Sequence, residues 1–288
     1  MPHSIFRFSG LFLGLALLFS CSSGPQPSTL QKIQKTKKIR LGYANEAPYA
    51  FLDPETGEIT GEAPTLAREV FGQWGDYEVE GVLTEFGSLI PGLKAGRFDI
   101  IAAGMYITPA RCKEILFSDP TYAIGDQLLV PAGNPNNLHA LADFVDQDLK
   151  LGVVTGAMET QHAELAGVAA EQLVLLPDTP SGLEALIAGR IDAFAVTALT
   201  AQQLVTRAGS DQVQTVEPFH DLEQNGVLLK GYGAFGFRKS DSELRNAFNT
   251  TLSGLIGTSR HLELVEPFGF GPNQMPGSVR METLCSMP

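Results

Sequence analysis

The run from Thr84 to Tyr122, TEFGSLIPGLKAGRFDIIAAGMYITPARCKEILFSDPTY, leaves the chain few architectures to choose from. LIPGLKAGRFD has the spacing of an amphipathic helix closed by Gly96. DIIAAGM is a short apolar run suited to a buried strand. ITPARCKEI then predicts a second helix, with Thr108 as N-cap and Pro109 at the first helical position. Helix, buried strand and helix in succession imply an α/β fold with a parallel sheet. Arg111 falls in the first turn of the second helix, just past a strand end. Ligands of open α/β sheets bind outside the carboxyl ends of strands, where an arginine can grip a carboxylate through two parallel hydrogen bonds.

The alternation of strand and helix runs from Ile39 to Tyr122 and resumes later. QLLVPAGNP, at 127–135, is an apolar strand followed by breakers, and is read as the first crossover between two lobes. LKLGVV, a TGA turn and METQHAEL then read as strand, turn and helix start. IDAFAVT is a second buried strand, and GYGAFGFRKSD returns the chain to the first lobe. LIPGLKAGRFD and GLEALIAGRID read as one helix–strand unit used twice, once per lobe. The expected division is 38–130 with 230–288 as the first lobe and 131–229 as the second.

The Thr84–Tyr122 segment resembles the polar-amino-acid type of periplasmic solute-binding protein of ABC importers, whose pattern runs LIPxLxxGxxDxIxxGMxITxxRxxxxxFSxPY. The resemblance extends from about Ile39 to Phe270 and takes in KIRLGYANEAPYAF, GEAPTLAREV and GYGAFGFRKSDSELRNAFNTTL. GYANEAPY, TEFGSLIPGLKAGRFDIIAAGM and TPARC are similar to the ectoine/hydroxyectoine-binding subgroup. It implies a two-lobe periplasmic-binding-protein fold of type II, with two crossovers forming a hinge. It further implies a non-enzymatic monomer without cofactor, which closes on a small zwitterion and is recognised by a membrane permease.

The 288 residues suffice for two lobes with a core each. A net charge of −12 argues against nucleic acid and against a polybasic membrane patch. Arg7, the apolar run LFLGLALLF and Ser20-Cys21 read as a signal peptide over 1–20. LFSC serves as a lipobox, so Cys21 is expected to carry a lipid anchor at the outer face of the cell membrane. The alternative is an ordinary signal peptide with a chance cysteine and a periplasmic product. SSGPQPST opens an expected flexible tether over 21–37. Cys112 and Cys285 remain; oxidising conditions favour their pairing, and the alternative is two free thiols.

At the site, Arg111 is expected to hold a ligand carboxylate, with Gly104 on the strand before it. Gly156, Ala157 and Met158 form the turn before a second-lobe helix, where free N–H groups favour the same anion. In the family this turn commonly reads Gly-Thr-Thr, so the threonine hydroxyls are missing here. α-Amino-acid binders of the family place an aspartate where Thr197 stands, which implies a ligand without a primary α-ammonium. Asp192 is read as structural. Tyr49, Phe86 and Tyr106 sit at strand ends, where their faces can enclose a delocalised cation, and Glu46 can accept from ring N–H groups. Ectoine, a small amidinium ring with one carboxylate, fits that set. A polar amino acid or a betaine is the alternative ligand. A cyclohexadienyl-dehydratase-like enzyme, with Glu46 and Glu159 as acid and base, is the alternative activity. His139, His162, His220 and His261 show no metal-ligand spacing.

Overall fold

The computed structural model of the chain describes residues 27–224 and 226–287. The signal peptide expected over 1–20 and Cys21 lie outside the described residues. The strands of the two large sheets are β1 (Lys38–Tyr43), β2 (Glu78–Leu83), β3 (Ile100–Tyr106), β4 (Leu116–Phe117), β5 (Tyr122–Ile124), β6 (Asp126–Pro131), β7 (Leu151–Val154), β8 (Leu173–Leu176), β9 (Ala193–Thr197), β10 (Val213–Thr215) and β11 (Gly231–Phe237). The α-helices are α1 (Thr29–Thr36), α2 (Glu62–Gly72), α3 (Leu89–Lys94), α4 (Pro109–Glu114), α5 (Glu159–Leu165), α6 (Thr179–Ile187), α7 (Ala198–Ala208), α8 (Ser242–Ser253), α9 (Ser259–Val265) and α10 (Met281–Cys285).

One sheet has the order β2–β1–β3–β11–β4, with β5 also paired to β11; the other has the order β8–β7–β9–β6–β10. Neighbours β1, β2 and β3 are parallel, as are β7, β8 and β9, while β11 and β6 enter their sheets antiparallel. These are the two α/β lobes that the alternation predicts.

The repeated helix–strand unit is visible bond by bond. Gly96 (φ +73°) and Gly189 (φ +65°) end α3 and α6 in the left-handed region, where glycine alone is unstrained. Arg97 N–H then donates to Gly92 O, and Arg190 N–H to Ala185 O. Asp99 accepts from Arg40 N–H at 3.1 Å, and Asp192 from Lys150 N–H at 2.7 Å. Each aspartate thus fastens the start of its strand to the neighbouring one, the structural role read for Asp192.

The lobe boundary differs from the expected 130. Asp126–Pro131 belongs wholly to the second sheet, paired antiparallel with β9 from Thr197↔Asp126 to Phe194↔Leu129. The first crossover is therefore Gly125, not 127–135, because the apolar residues of β6 are the ones the second core needs. A Cβ on Gly125 would meet Asp221 Oδ1 of the returning crossover at 2.7 Å, so the two crossings pack as closely as a glycine allows.

The expected tether does not extend to 37, and its residues 21–26 lie outside the described residues. Ser28 and Gln31 form a capping box at the start of α1, and Ile33 is 2 % exposed. Thr29 Oγ1 donates to Asp241 at 2.9 Å, which pins the helix to the first lobe. A single apolar anchor with Leu30 beside it was too little periodicity to stand out in the sequence.

Glu62, in the first turn of α2, is 1 % exposed, and its Oε1 has no hydrogen-bond partner among the described residues. Burial pushes its carboxyl up to about 8 from 4.5, against the bond from Thr121. A carboxyl raised in the folded state stabilises fully below the unfolded value and loses that contribution as pH rises through the folded one. Glu62→Gln is therefore expected to flatten the decline in melting temperature between about pH 5 and about pH 8. Thermal melts across that range check it; an unchanged slope would mean Glu62 is charged in the native protein.

Candidate functional site

A pocket lies between the lobes. The first lobe contributes Glu46 and Tyr49 from the loop after β1, Phe86 from the turn after β2, Gly104 and Tyr106 from β3, and Arg111 from α4. The second contributes Val154, Ala157, Met158, Glu159, and Ala195 to Thr197 at the end of β9. Every expected site residue except Gly156 lines it.

Arg111 is positioned as its motif predicts. Thr108 Oγ1 accepts from Arg111 N–H at 3.2 Å, with Pro109 opening the helix. Arg111 Nη1 donates to Tyr106 O at 2.8 Å and Nη2 donates across the cleft to Gly156 O at 2.9 Å. Its guanidinium carbon stands 5.6 Å from the centre of the Phe86 ring. Burial lowers its pKa to about 10, with Glu159 opposing, so it stays charged at neutral pH. A guanidinium has five N–H donors, so both anchors together leave three for a ligand.

Cys112 and Cys285 are bridged, with Cα atoms 5.7 Å apart. The bridge ties α10 to the helix that carries Arg111. A cross-link of this kind contributes roughly 2–4 kcal/mol.

The aromatic side chains converge. Tyr49 is 1 % exposed and packs on Tyr122, ring centres 5.0 Å apart, and on Phe270 at 5.7 Å. Gly104 has φ +64°, and a Cβ there would fall 2.7 Å from the Tyr49 ring. Only glycine lets that ring lie against β3. Tyr106 lies over Gly231, where a Cβ would be 1.8 Å from its ring, and its buried hydroxyl has no partner among the described residues.

The second lobe brings a turn and an acid to the pocket. In the Gly156–Met158 turn the Ala157 N–H donates to Val154 O at 3.0 Å, and Gly156 O accepts from Arg111 Nη2. Glu159, at the first position of α5, is 5 % exposed and faces the same pocket. Burial, then the charges of Asp126 and Glu46, push its carboxyl well above the usual range, with Arg111 pulling the other way. Glu46 is pushed up to about 7, again by burial. Glu159 of the second lobe and Glu46 of the first therefore bring two buried carboxyls to one pocket. A glutamate in a first helical turn normally serves the helix dipole, which is why sequence reasoning passed over Glu159 as a ligand group. Asp126 itself is held by His162 Nδ1 at 2.5 Å, so His162 is structural.

Thr197 lines the pocket but its hydroxyl is engaged. It accepts from Tyr49 OH at 2.7 Å and caps α7 through Thr200 N–H.

A cleft between two α/β lobes that gathers an arginine and buried acids is the arrangement expected of a solute-binding protein. The chain belongs to the bacterial extracellular solute-binding proteins, family 3, whose pattern matches residues 39–271. A probable amino-acid ABC transporter periplasmic-binding protein, y4tE of Sinorhizobium fredii (strain NBRC 101917 / NGR234), is 35 % identical over 90 % of this chain and 86 % of its own length. The lysine/arginine/ornithine-binding periplasmic protein of Escherichia coli (strain K12) is 30 % identical over 84 % of this chain and 90 % of its own. Among solved structures, EhuB in complex with hydroxyectoine matches with a TM-score of 0.81 at 31 % identity, covering 90 % of this chain and 98 % of EhuB. The chain is thus a solute-binding component of the amino-acid importer type.

Proposed function

We propose that this protein captures ectoine or hydroxyectoine between its lobes and delivers it to the permease of an ABC importer. The observation that carries the reading is the gathering of Arg111, Glu46 and Glu159 in one pocket with Tyr49, Phe86 and Tyr106. A carboxylate at Arg111 takes charge-assisted bonds, each contributing roughly 1.5–3 kcal/mol. An amidinium ring spreads its charge over two N–H donors, which suits two carboxylates, and presents flat faces to the aromatic walls. The likeness to a hydroxyectoine-bound protein supports the same ligand class. A ligand touching both lobes stabilises the closed form by its differential affinity, and that form is the one a permease would recognise.

A polar amino acid is the second reading, because Glu159 supplies an acid for an α-ammonium even though Thr197 does not. Calorimetric titration with ectoine, hydroxyectoine, glycine betaine, arginine and glutamine separates the two. Ectoine and hydroxyectoine are expected to bind at least about a hundredfold more tightly than the others. Preference for arginine or glutamine would keep the grip of Arg111 and overturn the amidinium reading.

A further inference from the structure

Four side chains form one hydrogen-bonded chain across the cleft. Tyr49 OH donates to Thr197 Oγ1 at 2.7 Å, Thr197 Oγ1 donates to Thr200 Oγ1 at 3.1 Å, and Thr200 Oγ1 donates to Glu46 Oε1 at 3.0 Å. Tyr49 and Glu46 lie in the first lobe, and the threonines lie at the start of α7 in the second. The chain therefore leaves the first lobe, passes through the second and returns. Thr200 is 1 % exposed and does not line the pocket. The two threonines are also held together by the helix cap, Thr200 N–H to Thr197 Oγ1 at 3.3 Å.

A threonine hydroxyl has one proton to give. Ala47 O, at 3.1 Å from Thr200 Oγ1, competes with Glu46 for it. An ionised carboxylate wins that competition through a charge-assisted bond, and a protonated one loses the advantage.

We propose that Thr200 is a positioning residue that latches the lobes through Glu46. It occupies one carboxylate oxygen, leaves the other for the cationic part of the ligand, and draws the lobes together more strongly while Glu46 is charged. A bound cation keeps Glu46 charged, so ligand and latch favour the same closed form. The ligand half of this inference rests on the zwitterion reading above; the latch itself does not.

The test uses Thr200→Val, which keeps shape and removes the donor, and Thr200→Ser, which restores it. Thermal melts confirm that each is folded. Thr200→Val is expected to speed ligand dissociation about tenfold with association nearly unchanged, and Thr200→Ser to recover most of that loss. Tyr49→Phe keeps the ring and breaks the same chain, so combining it with Thr200→Val should cost less than the product of the two effects. Spin labels at E55C in the first lobe and Q203C in the second should report a longer separation in Thr200→Val than in the parent protein. Unchanged dissociation and unchanged label distances would overturn the latch, as would fully multiplicative losses. If the parent protein binds neither ectoine nor an amino acid, the ligand reading fails, and the label distances alone decide the latch.

Discussion

Replacing Arg111 by alanine is expected to lower ligand affinity by about a hundredfold or more, since two charge-assisted bonds to the carboxylate disappear together. The loss extends beyond those bonds. Arg111 also donates to Tyr106 O and, across the cleft, to Gly156 O, and alanine leaves both carbonyls without that donor. Arg111→Lys is expected to fall almost as far, because an ammonium keeps the charge but cannot serve two anchors and a planar carboxylate at once. Calorimetry, with a thermal melt as folding control, reads the effect. Affinity in Arg111→Ala close to that of the parent protein would move the ligand carboxylate elsewhere.

Glu159→Gln is expected to shift affinity and stability in opposite directions. Affinity for a cationic ligand should fall about tenfold or more, as a charge-assisted contact becomes a neutral one. The melting temperature at neutral pH should rise, because Glu159 is buried beside Asp126 and Glu46 and resists ionisation there. The sign follows from linkage: a carboxyl raised in the folded state costs stability as pH climbs from its unfolded value, and glutamine carries no such cost. Glu46, raised to about 7, gives the ligand side of the same effect. A cation needs that carboxylate ionised, so affinity should strengthen with pH until Glu46 is fully charged. Titrations and melts at matched pH test both arms. Loss of affinity and stability together would make Glu159 a packing group.

Such a pairing of signs is what a site looks like when its acids are held in place for a ligand rather than for the fold. Glu62, also buried and raised but outside the pocket, should show only the stability arm.

The local elements were legible because each rests on local chemistry. Thr108, Pro109 and Gly96 are caps whose action spans a few residues, so the placement of Arg111 followed from neighbours in the chain. The aromatic set was legible as strand-end residues, and Tyr49, Phe86 and Tyr106 do meet at one pocket. The lobe boundary was not legible, for a physical reason. The strand at 126–131 was read as a crossover because the strand it pairs with lies far away in sequence. β6 found its pairing with β9, and Thr197 its donor in Tyr49, only in the folded chain.

By itself the sequence determined two α/β lobes, a repeated helix–strand unit and a capped arginine at a strand end. Periodicity, caps and turns act over short stretches of chain and are written in residue order. Tertiary structure alone decided the polarity of the cleft. It set Glu159 in one pocket with Arg111, engaged Thr197 through Tyr49, and brought Thr200 to Glu46 across 154 residues of chain. A buried polar group is defined by what desolvates it and what it bonds, and those partners are chosen only when the lobes close.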